Sequence, residues 1–178
     1  MPTSNTSVNN YKLYDVEIKY GLLQLKTVQA SQFSQVADGL RILVKMMLNA
    51  TPELRPDEHD FIKVRVNCLV CIGKLIDHLD KWLVLDEVLP FLPQIPSKEP
   101  AVLMGILGIY KLVLSSKKMT ISKEMMAQKI IPFLMPLAVE NFLTLNQFNT
   151  IISVIHDMVS RVEAEHRVKL EQLQEQQK

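Results

Sequence analysis

The string Val88-Leu89-Pro90-Phe91-Leu92-Pro93 returns as Ile130-Ile131-Pro132-Phe133-Leu134-Met135-Pro136, with Pro90 and Pro132 standing 42 residues apart. No other feature of the chain constrains its fold as much. A fixed period of this size belongs to one helical hairpin per repeat, and a hairpin cannot bury its apolar face alone, so neighbours must stack. Proline inside an apolar helical run removes a hydrogen bond and crowds the preceding turn. Its return at the same place predicts the same kink in two equivalent helices.

The surrounding periodicity is helical throughout. A helix is expected over 36–49, where Leu40, Leu43, Val44, Met47 and Leu48 share a face, and Thr51-Pro52 stops it. Further helices are expected over 58–79, with Ile62, Val66, Leu69, Ile72 and Ile76 on one face, then over 81–92, 99–115, 122–139 and from Leu145 onward. The last one opens with a Thr144-x-x-Gln147 capping box, and Leu143 and Phe148 occupy the positions of a hydrophobic staple. Phe148, Ile152, Ile155, Val159 and Val162 predict a single apolar seam, which ends where the register reaches His166 and Lys169. One short stretch hints at a strand: Val16, Ile18 and Tyr20 alternate with Asp15, Glu17 and Lys19. With only five glycines and no Asn-Gly or Asp-Gly hairpin signal, an all-β fold is not expected. The expected class is all-α. A 42-residue period falls within the roughly 40–47 residues of HEAT and armadillo units. The expected architecture is therefore a HEAT-repeat α-solenoid fragment with hairpins at 81–115 and 122–162, preceded by a second-type helix at 58–79.

Composition narrows the function. Hydrophobic residues make up 48% and charged residues 22%, enough to build a core. Twenty basic residues face nineteen acidic ones, and a net charge of +1 supplies no field for nucleic acid or anionic lipid. The longest apolar run, Ala101 to Tyr110, is about half of a membrane span. Residues 1–10 are rich in Asn, Ser and Thr and lack the pattern of a secretory signal. A cytoplasmic protein is expected, and two cysteines suit a reducing compartment.

The sequence offers no catalytic constellation, no metal-ligand set and no cofactor motif. Cys68-Leu69-Val70-Cys71 is a Cys-x-x-Cys without a second cysteine pair for zinc and without a βαβ context for redox exchange, so both cysteines are read as core thiols. His59, His78, His156 and His166 are scattered, and the nine methionines read as packing residues. Two near-matches to a clathrin-box peptide each fail a requirement. Leu22-Leu23-Gln24-Leu25 is followed by Lys26 where an acid is needed, and Trp82 to Asp86 lies on a helix expected to be buried.

Two passages resemble a known family. Residues 42–56, ending in Pro52-Glu53-Leu54-Arg55-Pro56, resemble the motif that closes a protein-kinase C-lobe. In kinases the arginine matching Arg55 pairs with the glutamate of an Ala-Pro-Glu motif, which this chain lacks. It also lacks the glycine loop, the Val-Ala-Ile-Lys lysine, the His-Arg-Asp loop and Asp-Phe-Gly. The stretch from Val64-Arg65-Val66-Asn67 to Trp82, the stretch Ile95 to Lys111, Leu145-Asn146-Gln147-Phe148-Asn149 and Glu163-Ala164-Glu165-His166 resemble the SCY-like pseudokinases, in particular their coated-vesicle-associated branch. The resemblance implies a form lacking most of the kinase domain. Residues 1–35 would be poorly ordered, 36–57 would be the end of a kinase C-lobe, 58–162 HEAT helices and 163–178 a charged helical tail. It implies a non-catalytic scaffold in clathrin-linked endosome and Golgi traffic, peripheral on vesicles through coat or adaptor proteins. No nucleic-acid partner is expected.

Overall fold

The computed structural model describes residues 58–95 and 98–177. The helix expected over 36–49, the alternating stretch 15–20, the Leu22–Leu25 motif and the kinase-like residues Pro52, Arg55 and Pro56 lie outside them. Among the described residues all regular structure is helical. Helix α1 is Glu58–Leu75, continued by a 3-10 turn at Ile76–His78. Helix α2 covers 81–94 and is composite: α over Lys81–Leu83, a π turn over Val84–Val88, α over Leu89–Phe91 and a 3-10 end over Leu92–Gln94. Helix α3 is Pro100–Ser115. Helix α4 covers 123–138, with α over Lys123–Met125, a π turn over Met126–Ile130 and α over Ile131–Ala138. Helix α5 is Leu145–Gln176.

The 42-residue period holds in the backbone. Both composite helices start from an extended residue, Asp80 (φ −67°, ψ 144°) and Ser122 (φ −64°, ψ 147°). Each then makes one α turn and a five-residue π turn, and each places its proline two residues later. The wide turn closes where the N–H of Leu89 donates to the carbonyl of Val84, and that of Ile131 to Met126, five residues back. Pro90 and Pro132 cannot donate, and their rings need room beside the preceding turn. A π turn is a known way for a helix to supply that room.

The chain divides into two compact units, Met1–Ile109 and Tyr110–Lys178. In the first, Cys68, Leu69, Ile72 and Ile76 of α1 are buried, as are Val84, Val88 and Leu92 of α2 and Val102, Leu103, Ile106 and Leu107 of α3. Helices α1 and α3 approach closely at Gly105. A Cβ built there would lie 3.0 Å from Leu69 Cδ1 and 3.2 Å from its Cβ, whereas one at Gly108 would meet nothing within 4 Å.

In the second unit α4 buries the row Met126, Ile130, Leu134 and Ala138, and α5 packs against it. The start of α5 is fixed by the expected capping box. The N–H of Gln147 donates to Thr144 Oγ1 at 3.2 Å, and the N–H of Thr144 donates to Gln147 Oε1 at 2.9 Å. The staple position Leu143 is partly buried, while Phe148 stays exposed. The seam expected on α5 is displaced. The buried row is Ile151, Val154, Ile155 and Met158, while Val159 is exposed and Ile152 only half-buried. From Glu163 to Gln177 every residue is exposed.

Among the described residues, two of the fully buried side chains carry a titratable group. Tyr110 is fully buried, and its hydroxyl has no hydrogen-bond partner among the described residues. Burial pushes its ionisation up. Burial, and secondarily the neighbouring Cys71, push the Cys68 thiol up to about 12.

Gly105→Ala should lower thermal stability, because overlap with Leu69 outweighs the helix-propensity gain of about 1 kcal/mol. Gly108→Ala should raise it by about that amount, and a melting experiment on the pair reads both signs. The stability that neutral Cys68 contributes is complete below the unfolded thiol value of roughly 8.5 and is lost as pH rises through about 12. Denaturant titrations should accordingly show stability falling over that window, less steeply in Cys68→Ala. Tyr110→Phe, which removes an orphaned hydroxyl, should be neutral or stabilising by about 1 kcal/mol at neutral pH. Amide exchange should be slow around Ile151–Met158 and fast from Arg167 onward, since a solvated segment of about a dozen residues is marginal as a helix. Strong protection up to the C-terminus would show that a partner covers it.

Candidate functional site

No described residue forms a catalytic array, and among the described residues no three of His, Cys, Asp and Glu are grouped as a metal ion would require. Cys68 is buried and Cys71 half-buried on α1, and both are thiols. His78 is exposed at the end of the 3-10 turn after α1, and His156 and His166 are exposed ten residues apart on α5. Arg65 on α1 is half-buried. Desolvation draws its guanidinium down from its ordinary value, partly offset by attraction to the Glu99 carboxylate at the approach to α3. The methionines divide: Met119, Met126 and Met158 are core residues, while Met135 is exposed.

Among the described residues, one surface that combines shape with polar and apolar groups lies at the start of α2. Asp80, Lys81, Trp82, Leu85 and Asp86 line an open concavity of about 650 Å³. Helical spacing sets Trp82, Leu85 and Asp86 on one side, three and four residues apart, while Leu83 and Val84 turn into the core. Trp82 to Asp86 is helical as expected. The expectation that it is buried is corrected: only the Leu83 and Val84 side is, and Trp82 is 39% exposed. The helix has two faces, and an apolar stretch read as one face hides the second. Asp80 occupies the N-cap position, yet its side chain makes no capping bond, in contrast to Ser122 of α4, whose Oγ accepts from the N–H of Met125 at 3.2 Å. The motif reading of the sequence missed this site. The available signal was the comparison of the two repeats, in which Trp82, Leu85 and Asp86 match Glu124, Ala127 and Gln128.

In the other unit Met135, Val139, Phe142 and Leu145 are exposed, Leu145 at 75%. Among the described residues no helix is long and apolar enough to cross a membrane.

No family model matches the chain, and neither does any solved structure. Human SCY1-like protein 2 is 63% identical over 120 residues, which cover 66% of this chain and 13% of that protein. The mouse SCY1-like protein 2 is 62% identical over the same extent. The protein kinase domain-containing protein ppk32 of Schizosaccharomyces pombe is 31% identical over 93 residues, 52% of this chain and 12% of that protein. The chain thus spans about an eighth of the length of the relatives it matches. On this similarity the chain belongs to the SCY1-like family.

Proposed function

We propose that the chain is a non-catalytic scaffold of a SCY-like pseudokinase, working through protein contacts in clathrin-linked traffic between endosomes and Golgi. The observation that carries the scaffold reading is the recurrence of N-cap, π turn and proline in residue-for-residue register 42 residues apart. A recurrence of this period fits one helical hairpin per repeat, the unit from which a stacked array is built, and 58–162 is read as such an array. Its asset is extended surface rather than a reaction site. The trafficking half rests on family resemblance. Attachment to vesicles would run through coat or adaptor proteins, because a net charge of +1 provides no polybasic attraction to anionic lipid. Clathrin itself would bind weakly or not at all: Leu22–Leu25 lacks its acid, and Trp82–Asp86 is helical where a clathrin box must be extended.

A kinase-family reading has one observation in its favour, the likeness to the protein kinase domain-containing protein of fission yeast. Calorimetry with magnesium-ATP separates the two. The scaffold reading expects no saturable heat, and micromolar binding overturns it. Proximity labelling by the tagged chain in cells should recover coat or adaptor proteins and place it on endosomes or Golgi. Recovery of an unrelated assembly, or exclusive nuclear or mitochondrial residence, would remove the trafficking assignment.

A further inference from the structure

We infer that α5 pairs with α5 of a second copy of this chain, antiparallel, along an apolar seam centred on His166. The helix carries two apolar rows. Contact with α4 uses Ile151, Val154, Ile155 and Met158. The other row, Val159, Val162, Leu170 and Leu173, lies further along the helix and faces water. Val159, Leu170 and Leu173 are 45%, 47% and 44% exposed, and Val162 is half-buried. Steps of three, four, four and three residues lead from Val159 through Val162, His166 and Leu170 to Leu173. At about 100° per residue these five positions stay within a sector of about 80°, so they form one stripe on a regular helix. A stripe of this spacing is the kind of seam along which one helix lies on another.

The symmetry of the seam names its occupant. Val162 and Val159 stand four and seven positions before His166, and Leu170 and Leu173 stand four and seven after it. A stripe that reads alike in both directions fits its own reverse, and an unrelated helix would need none of that symmetry. Two antiparallel copies centred on His166 set Val162 against the partner's Leu170 and Val159 against the partner's Leu173, and the two-fold axis repeats each contact. His166 meets its own copy at the axis, a single polar layer of the kind that fixes register at a cost in affinity. The flanks agree with this direction. Glu163 and Arg167 edge the stripe on one side, Glu165 and Lys169 on the other. In an antiparallel pair like flanks face each other, so Glu163 meets the partner's Arg167 and Glu165 meets the partner's Lys169. Glu165 already approaches Lys123 of α4 at 4.0 Å, which leaves the Glu163 side as the more open flank. There Arg167 Nη2 donates to Glu163 Oε1 at 2.6 Å within the helix, with both side chains more than half exposed, and pairing brings up the same two charges from the partner. Exposed ion pairs add little affinity but set direction, and the apolar layers supply the attraction.

Self-association goes beyond the scaffold reading and does not depend on it. Sedimentation equilibrium of the full chain, from about 5 to 500 µM, should show a reversible monomer–dimer equilibrium with a Kd below about 100 µM. Leu170→Glu should weaken the dimer more than about tenfold. Leu170 is exposed, so the variant should keep its helical content by circular dichroism. His166→Leu, which completes the apolar stripe, should tighten the dimer about tenfold. Glu163→Lys should loosen it several-fold at low salt and less at high salt, and adding Arg167→Glu to the same chain should restore it. Chains carrying Val159→Cys, mixed with chains carrying Leu173→Cys under mild oxidation, should cross-link to each other and not to themselves, with the linked positions read by peptide mapping. Amide exchange beyond Arg167 should be fast in dilute chain and slow as the dimer fills. A chain that stays monomeric throughout, or a dimer indifferent to Leu170→Glu, would overturn the inference. So would cross-linking of the Val159→Cys chain to itself, which marks a parallel pair. Slow exchange beyond Arg167 in dilute chain would show the seam closed within one chain and would overturn it as well. None of these outcomes bears on ATP binding or cellular location, which test the scaffold reading separately.

Discussion

A proline inside a helix has no N–H to give, and its ring intrudes on the turn before it. The way this chain absorbs Pro90 and Pro132 sets the form of both composite helices. A strict row of residues four apart drifts by about 40° at each step around an ordinary α-helix, which turns about 100° per residue. A π turn takes more residues per turn and drifts the other way. Met126, Ile130, Leu134 and Ala138 can therefore stay on one buried face through the wide turn, the proline at 132 and the second proline at 136. Val84, Val88 and Leu92 do the same in α2. The residue that would break a regular helix is the one that keeps these two in phase with their cores.

Close packing then depends on what the neighbouring helices present. In the first unit, Gly105 lets α3 come near enough to Leu69 that a methyl group would collide with it. Three residues on, Gly108 meets nothing and serves no such purpose. In the second unit the tolerance runs the other way, since the core holds a tyrosine hydroxyl with no described partner. An apolar core can keep such a group when the ring burial around it outweighs the lost hydrogen bond.

The parts of the fold legible in the sequence were the local ones. Helix limits followed from apolar spacing, the start of α5 from Thr144 and Gln147, and the equivalence of α2 and α4 from the spacing of their prolines. Choices made by tertiary contact were not legible. On α5 the apolar stripe is broad enough for two rows, Phe148-Ile152-Ile155-Val159 and Ile151-Val154-Ile155-Met158, and periodicity cannot rank them. Contact with α4 selects the second. The π turns were likewise hidden: a proline announces that a helix must adjust without saying how. For the same reason the concavity over Trp82 escaped a motif search, because it is made by the outward side of a helix whose inward side carries the hydrophobic signal.

The two copies of the repeat also separate what the backbone demands from what the surface is free to carry. Where both agree, at the buried Val84 and Met126 or at the prolines, the residue serves the fold. One shared position is used differently. Lys81 and Lys123 open equivalent helices. Lys123 is largely covered and approaches Glu165 of α5 at 4.0 Å, near where that helix leaves the core. Lys81 is exposed and lines the concavity. The same residue at the same point of the repeat helps hold a neighbouring helix in one copy and borders an open surface in the other. An array that repeats its backbone without repeating its surface can offer a different contact at each step.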